Sequence, residues 1–161
     1  MHDVLAWMEA STLGHLMRES GPWTYAIVNL THLLGIATLF GAILVMDLRL
    51  LGCWRHVPLG ALASATTPVG GVGLAIALTS GTALITANAT EYVDNPFLVI
   101  KFPAIAFGLI NIAVLMRSRA WKARSARELT GGEQRQLAVM GGISLCAWLT
   151  AVAAGRMIGY W

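Results

Sequence analysis

The residue of this sequence best placed to do chemistry is His32, which lies inside an apolar segment running from Trp23 to about Met46. The segment is long enough to cross a bilayer. Because His32 is nine residues beyond Trp23, a rise of 1.5 Å per residue places it about 14 Å inside the membrane. An ionisable side chain at that depth is costly in lipid, so we expect it to face the protein interior and a partner.

The residues around His32 are compatible with an axial ligand of a b-type haem. Asn29 precedes it by one helical turn and could orient the imidazole, and Gly35, one turn later, is expected to leave room beside the ring. Arg156 lies four residues before Tyr160 and therefore about 6 Å below the membrane edge. Its guanidinium could pair with haem propionates, a lipid headgroup or Glu19.

A six-coordinate haem also needs a second axial ligand. The sequence offers His15 or Met17 on an N-terminal helix, or a histidine from another subunit. The same pattern suits a buried histidine that only hydrogen-bonds a neighbouring helix, so both interpretations of His32 stay open.

Copper is the alternative cofactor, because several soft and borderline ligands are predicted on the outer face of the membrane. They are scattered rather than clustered, and methionine is also an ordinary core residue. These residues are His2, Met8, His15, Met17 and Met157.

The composition indicates a membrane protein. Hydrophobic residues make up 57% of the 161-residue chain and charged residues 12%, whereas a soluble domain carries about 25% charged residues. The basic residues flank apolar segments, which predicts contact with anionic lipid rather than nucleic acid. Cys53 and Cys146 fall in different segments and predict neither a disulfide nor a zinc site.

Four apolar segments predict an all-α fold, an integral membrane four-helix bundle formed by one domain over residues 1–161. The expected spans are about 23–46, 67–87, 97–116 and 137–160. Residues 3–18, within an interfacial segment 1–20, predict a short amphipathic helix on the membrane surface. Thr130 and Glu133 predict a capping box at the start of the last span.

The loops predict the orientation of the spans. Eight of the 11 basic residues follow the first and third spans, and the positive-inside rule then places both termini in the periplasm of a bacterial inner membrane. Trp23, Tyr25, Tyr160 and Trp161 are expected at the outer interface.

Polar and small residues within the spans have structural interpretations. Gly73, Ala77 and Gly81 predict a seam of close helix packing and a candidate contact with a partner. Asn111 is expected to join helices, and Asp47 to pair with another element, for example an arginine of the second inner loop. The sequence contains no hydrolase, P-loop or Rossmann pattern, so we expect no catalytic activity.

Several motifs resemble an uncharacterised family of small bacterial four-helix inner-membrane proteins. They are Leu16-Met-Arg-Glu-Ser20, His32-Leu-Leu-Gly35, Gly41, Asp47-Leu-Arg-Leu-Leu-Gly52 and Ala154-Gly-Arg-Met-Ile-Gly-Tyr160. A looser likeness, through His-x-x-Gly, is to the membrane domain of copper-resistance D proteins and to b-type cytochrome bundles. The resemblance implies that His32, Asp47, Arg49 and Arg156 are the positions to test.

These observations predict a membrane subunit that serves periplasmic redox chemistry, with His32 as a haem ligand. The alternatives are a copper-handling membrane protein and a cofactor-free anchor or assembly partner. We expect a homo-oligomer or a partner redox protein in the membrane or periplasm.

Overall fold

The computed structural model describes residues 2–160, without the side chain of His2. The expected roles of the His2 side chain and of Trp161 therefore lie outside the described residues. The helices are α1 (His2–Glu9), α2 (Thr12–Glu19), α3 (Gly21–Leu51), α4 (Leu59–Ala87), α5 (Pro96–Arg117), α6 (Arg119–Ala123) and α7 (Gly131–Met157). Short 3₁₀ helices occupy Ala89–Tyr92 and Ile158–Tyr160.

Four of these helices, α3, α4, α5 and α7, are long and apolar enough to cross a membrane. The all-α class and the presence of four spans are therefore confirmed, and the chain is a multi-pass membrane protein. α4 begins at Leu59 rather than near Thr67, and α7 at Gly131 rather than near Leu137. The helices are longer than the apolar segments because helical backbone continues into the polar flanks of a span.

The N-terminal segment forms two helices where one was expected over residues 3–18. Ser11 separates them, since its side chain accepts a hydrogen bond from the backbone N–H of Gly14 as the N-cap of α2. Gly21 follows α2 with a φ of +80°, a conformation that glycine adopts without steric cost. Pro22 then suits the first turn of α3, where its missing N–H is not needed.

The start of α7 has the predicted capping box. Thr130 Oγ1 accepts from the Glu133 backbone N–H, and the Glu133 carboxylate accepts from the backbone N–H of Thr130. Arg127 adds an ion pair to the same carboxylate, with Nη2 2.6 Å from Oε1. Two donors of the helix terminus are satisfied in this way, which explains why the helix begins here.

The chain divides into two compact units, and the boundary between them falls inside α3 and α4. Unit 1 comprises residues 1–39 and 71–96. Within it, Arg18 donates to the carbonyls of Glu9 (2.9 Å) and Ala87 (3.1 Å), which ties the ends of α1 and α4 together. Glu9 in turn accepts from the backbone N–H of Thr90 (2.7 Å).

Unit 2 comprises residues 40–70 and 97–161. Its apolar core combines residues from α3, α4, α5, α6 and α7, including Leu50, Ala63, Leu115, Trp121 and Leu137. The buried Asn111 donates from Nδ2 to the carbonyl of Met140 at 3.0 Å, so its expected role in joining α5 to α7 is confirmed.

Candidate functional site

His32 of α3 and Ser80 of α4 form the candidate site of unit 1. The imidazole is half-buried, and its Nδ1 lies 3.2 Å from Ser80 Oγ. Ser80 is itself buried. The ionisable side chain of the first span therefore faces a neighbouring helix and a polar partner, as expected for such a residue within a membrane.

The hydrogen bonds of Ser80 determine which nitrogen of His32 carries the proton. A serine hydroxyl has one proton to donate, and Ser80 donates it to the backbone carbonyl of Ile76 (2.5 Å). Ser80 Oγ must therefore accept at its contact with His32, so Nδ1 is the donor. In the neutral imidazole, the lone pair is then on Nε2.

Close backbone packing surrounds this pair. A Cβ atom built on Gly81 would lie 2.7 Å from Cε1 of His32, so the ring rests directly on the α4 backbone. A Cβ on Gly35 would lie 2.8 Å from both the Ala77 nitrogen and Ile76 Cγ2. The expected gap over Gly35 is therefore corrected: α4 occupies that space.

Gly73 belongs to the same seam, because a Cβ there would overlap the backbone of Leu39. The small residues predicted from α4 thus pack against α3 of the same chain. This packing occupies the glycine face that was expected to contact a partner.

The other residues expected near a cofactor lie in several places. Asn29 is exposed on α3, so Ser80 takes the orienting position at Nδ1. His15 is exposed on α2, while Met17 is buried and lines a cavity of about 310 Å³ with Tyr25, Ala87 and Asn88. Because Ala87 is six residues beyond Gly81, this cavity meets α4 about 9 Å along the helix from the level of His32.

Arg156 belongs to unit 2. Its guanidinium carbon lies 4.5 Å from the centroid of the Tyr160 ring, and Nη2 donates to the Tyr160 hydroxyl. The exposed guanidinium is therefore held near the end of α7 by a cation–π contact and a hydrogen bond.

Asp47 is the most deeply buried acidic group described in unit 2, with 3% of its surface exposed. The hydroxyl of Ser144 on α7 hydrogen-bonds its carboxyl group. We expected an arginine of the basic segment after α5 to pair with Asp47, but among the described residues Asp47 has no arginine partner, and the ion pair lies between Arg127 and Glu133. Arg124 of that segment lies over the Trp121 ring, 4.3 Å from its centroid.

Neither Ser80 nor Ser144 is predicted from the sequence as the partner of His32 or Asp47. The available signal is a serine within an apolar span, which favours a buried hydrogen bond. Ser80 and His32 are 48 residues apart in the sequence, so local spacing cannot predict that they pair.

No curated protein and no solved structure matches the chain. A family model matches residues 4–161, which is nearly the whole chain. This finding agrees with the expected resemblance to an uncharacterised family and adds no support for a likeness to copper-resistance D proteins or cytochromes. The chain belongs to the family of unknown function DUF6644.

Proposed function

We propose that this protein is a non-catalytic subunit of a redox system in the bacterial inner membrane, and that His32 is an axial ligand of a b-type haem. The single observation that carries the proposal is the contact of His32 Nδ1 with Ser80 Oγ, to which we assign the Nδ1–H tautomer because Ser80 donates to the Ile76 carbonyl. Histidines that bind metals usually donate their other ring N–H to a fixed acceptor, which sets the ring orientation and leaves a lone pair for the metal. The Nδ1–H to Ser80 contact has this form.

His32 would bind the iron through the ring nitrogen that does not contact Ser80. A bound haem would supply one-electron transfer between a periplasmic donor and quinone. The protein's own contribution is to fix the imidazole by Ser80 and to keep it within a low-dielectric span. The proposed orientation has both termini in the periplasm, because most basic residues follow the first and third spans.

The second candidate is a cofactor-free membrane anchor or assembly partner. The observation that favours it is the contact of His32 with Gly81 and Ser80, which joins α3 to α4 as a polar contact between helices. In that function the imidazole stabilises the helix pair and holds no cofactor. Copper binding through residues such as His15 and Met17 is the third outcome that the same experiment measures.

The test is an absorption spectrum of the purified full-length protein, oxidised and then reduced with dithionite. The haem proposal expects a Soret band and a sharp reduced α band, both lost in His32→Ala. His56→Ala is the matched control, because His56 is exposed in the loop between α3 and α4, and it should keep the spectrum.

Two results would overturn the haem proposal. A colourless protein with stoichiometric copper by elemental analysis indicates the copper-handling function. A colourless and metal-free protein that co-purifies in a stable membrane complex indicates the assembly function.

A further inference from the structure

Asp47 is buried in the apolar part of unit 2, where an ionised carboxylate has few compensating contacts. Its exposed fraction is 3%. Met46 and Leu50, which are close to it on the same helix, belong to the apolar core of this unit. The backbone of α7 approaches closely here, since a Cβ on Gly141 would lie 3.2 Å from the Asp47 carbonyl oxygen. Water therefore has little access to the carboxyl group.

The carboxyl group has one hydrogen-bond partner where an ionised carboxylate needs several. Ser144 contacts one side of it, whereas Oδ2 is buried and has no hydrogen-bond partner among the described residues. One turn beyond Ser144, the Nε1–H of Trp148 is also buried without an acceptor within that part of the chain. This region of α7 is thus poor in polar partners.

Several basic side chains of unit 2 donate to groups other than Asp47. Arg49 donates from Nε to the Val57 carbonyl at 2.9 Å and from Nη2 to the Arg55 carbonyl at 3.3 Å. Arg117 of α5 donates to the Ala113 carbonyl, and Arg124 after α6 donates to that of Trp121. The part of α4 in this unit, residues 59–70, has no charged side chain. Lys101 of α5 lies beside Gly155, with its Nζ 3.4 Å from the Cβ position there, and Gly155 is 11 residues beyond Ser144, about 16 Å along α7. Arg135 of α7 precedes Ser144 by nine residues, about 14 Å along the helix.

An isolated ionised carboxylate in an apolar interior is far less stable than a neutral acid, which needs fewer hydrogen bonds. We propose that Asp47 is an internal proton-binding site, whose carboxyl group is the neutral acid in the folded protein at neutral pH. The ligand is a proton from the bulk solvent, delivered by hydronium or a buffer acid, which adds to the carboxylate without any change of oxidation state. Intramembrane acids of this kind are typical of proteins that respond to protons. The inference does not depend on haem binding.

Infrared spectroscopy of the full-length protein in lipid nanodiscs tests the proposal directly. The carbonyl stretch of a protonated carboxylic acid is resolved from the bands of ionised carboxylates, and it shifts in D₂O. The aspartates of this chain are Asp3, Asp47 and Asp94. In the double variant Asp3→Asn/Asp94→Asn, Asp47 is the remaining aspartate, and ¹³C labelling of aspartate then assigns its band without altering the site.

We expect an acid band at neutral pH that moves with ¹³C-aspartate and with D₂O in the double variant. The band should be lost in Asp47→Asn, an isosteric change that mimics the neutral acid. A double variant that shows the carboxylate bands of Asp47 at neutral pH, and no acid band, would overturn the proposal and indicate a bound cation or ordered water at Oδ2.

Discussion

The two units pack their helices in different ways, although they share α3 and α4. In unit 1, a Cβ on Gly35 would contact the Ala77 nitrogen and one on Gly73 would contact the backbone of Leu39, whereas Gly81 meets the ring of His32. In unit 2, Gly108 faces the Trp148 ring, and the atom nearest to the Cβ position of Gly141 belongs to the Leu50 side chain. A backbone contact cannot move aside, whereas a side chain can change its rotamer.

The surroundings of His32 in unit 1 and of Asp47 in unit 2 differ in the same way. His32 lies on the α4 backbone at Gly81 and is half-buried. Asp47 is enclosed within the side-chain core and almost fully buried. Both use a serine of a neighbouring helix, but Ser80 accepts a hydrogen bond from the imidazole, whereas the Ser144 hydroxyl can donate one to a carboxyl oxygen. Close helix packing thus gives a fixed imidazole, and side-chain packing gives an isolated acid.

The largest expected effect comes from adding a methyl group to the seam of unit 1. Gly73→Ala should lower the free energy of unfolding by about 1–3 kcal/mol, because overpacking cannot be relieved against backbone. Gly108→Ala in unit 2 should cost less, since the Trp148 ring, 3.0 Å from the added Cβ, can shift. Thermal unfolding in detergent measures both.

Gly71→Ala is the control for these two variants, because nothing lies within 4 Å of its Cβ position. It should leave the unfolding midpoint unchanged or raise it, as alanine favours helix. Equal midpoints for Gly73→Ala and Gly71→Ala would remove the distinction between the two kinds of packing.

A smaller effect is expected at the polar contact of unit 2. Asn111→Leu removes the hydrogen bond to the Met140 carbonyl, and such contacts within membranes contribute about 0.6 kcal/mol on average and about 1.7 at most. Thr150→Val should have no measurable effect, because that exposed hydroxyl bonds only the carbonyl of its own helix at Cys146. Denaturant titration compares the pair, and equal stabilities would contradict a role for Asn111 in joining helices.

Ser80→Ala should change stability by about 0.6 kcal/mol and change the state of His32 more clearly. Without the acceptor at Nδ1, the imidazole should populate both neutral tautomers, which the ¹⁵N chemical shifts of its ring report. Thr79→Val provides the comparison, as Thr79 is exposed and bonds its own helix at Ala75. Ring shifts that stay the same in Ser80→Ala would show that Ser80 does not set the tautomer.

The smallest effect is expected at the surface of unit 1. Hydrogen bonds from Thr90 lower the pKa of Glu9 below its ordinary value of 4.5. The contribution of Glu9 to stability is therefore present above that value and is lost as the pH falls through the lower pKa of the folded state. Protection of the Thr90 amide from hydrogen exchange should decrease in this range.

Glu9→Gln should abolish that pH dependence, whereas Glu19→Gln, which alters an exposed carboxyl group of the neighbouring helix, should preserve it. The same pH dependence in Glu9→Gln and the unaltered protein would assign the effect to another group.

The sequence is sufficient to predict the class of fold and the number of spans, because a membrane requires about 20 apolar residues for each helix. The capping box of Thr130 and Glu133 is also predictable, because both residues of the signal lie within three positions of each other. The boundary at Ser11 has a local signal too, but the single amphipathic pattern over residues 3–18 concealed it.

The details of the candidate sites depend on contacts between distant segments. Hydropathy indicates that His32 and Asp47 are buried, but it does not show that Ser80 and Ser144 face them. Gly35 illustrates the limit, since an absent side chain predicts equally well a gap for a ligand and a close approach of another helix. The structure fills the space over Gly35 with α4.

The N-terminal helix pair has a consequence for how the chain is made. Arg18 and Glu9 bind Ala87 and Thr90, groups that are synthesised about 70–80 residues later. Arg18 and Glu9 therefore cannot dock when they emerge from the ribosome. They bind only after residues 87–90 have been synthesised, so α1 and α2 complete unit 1 after α3 and α4.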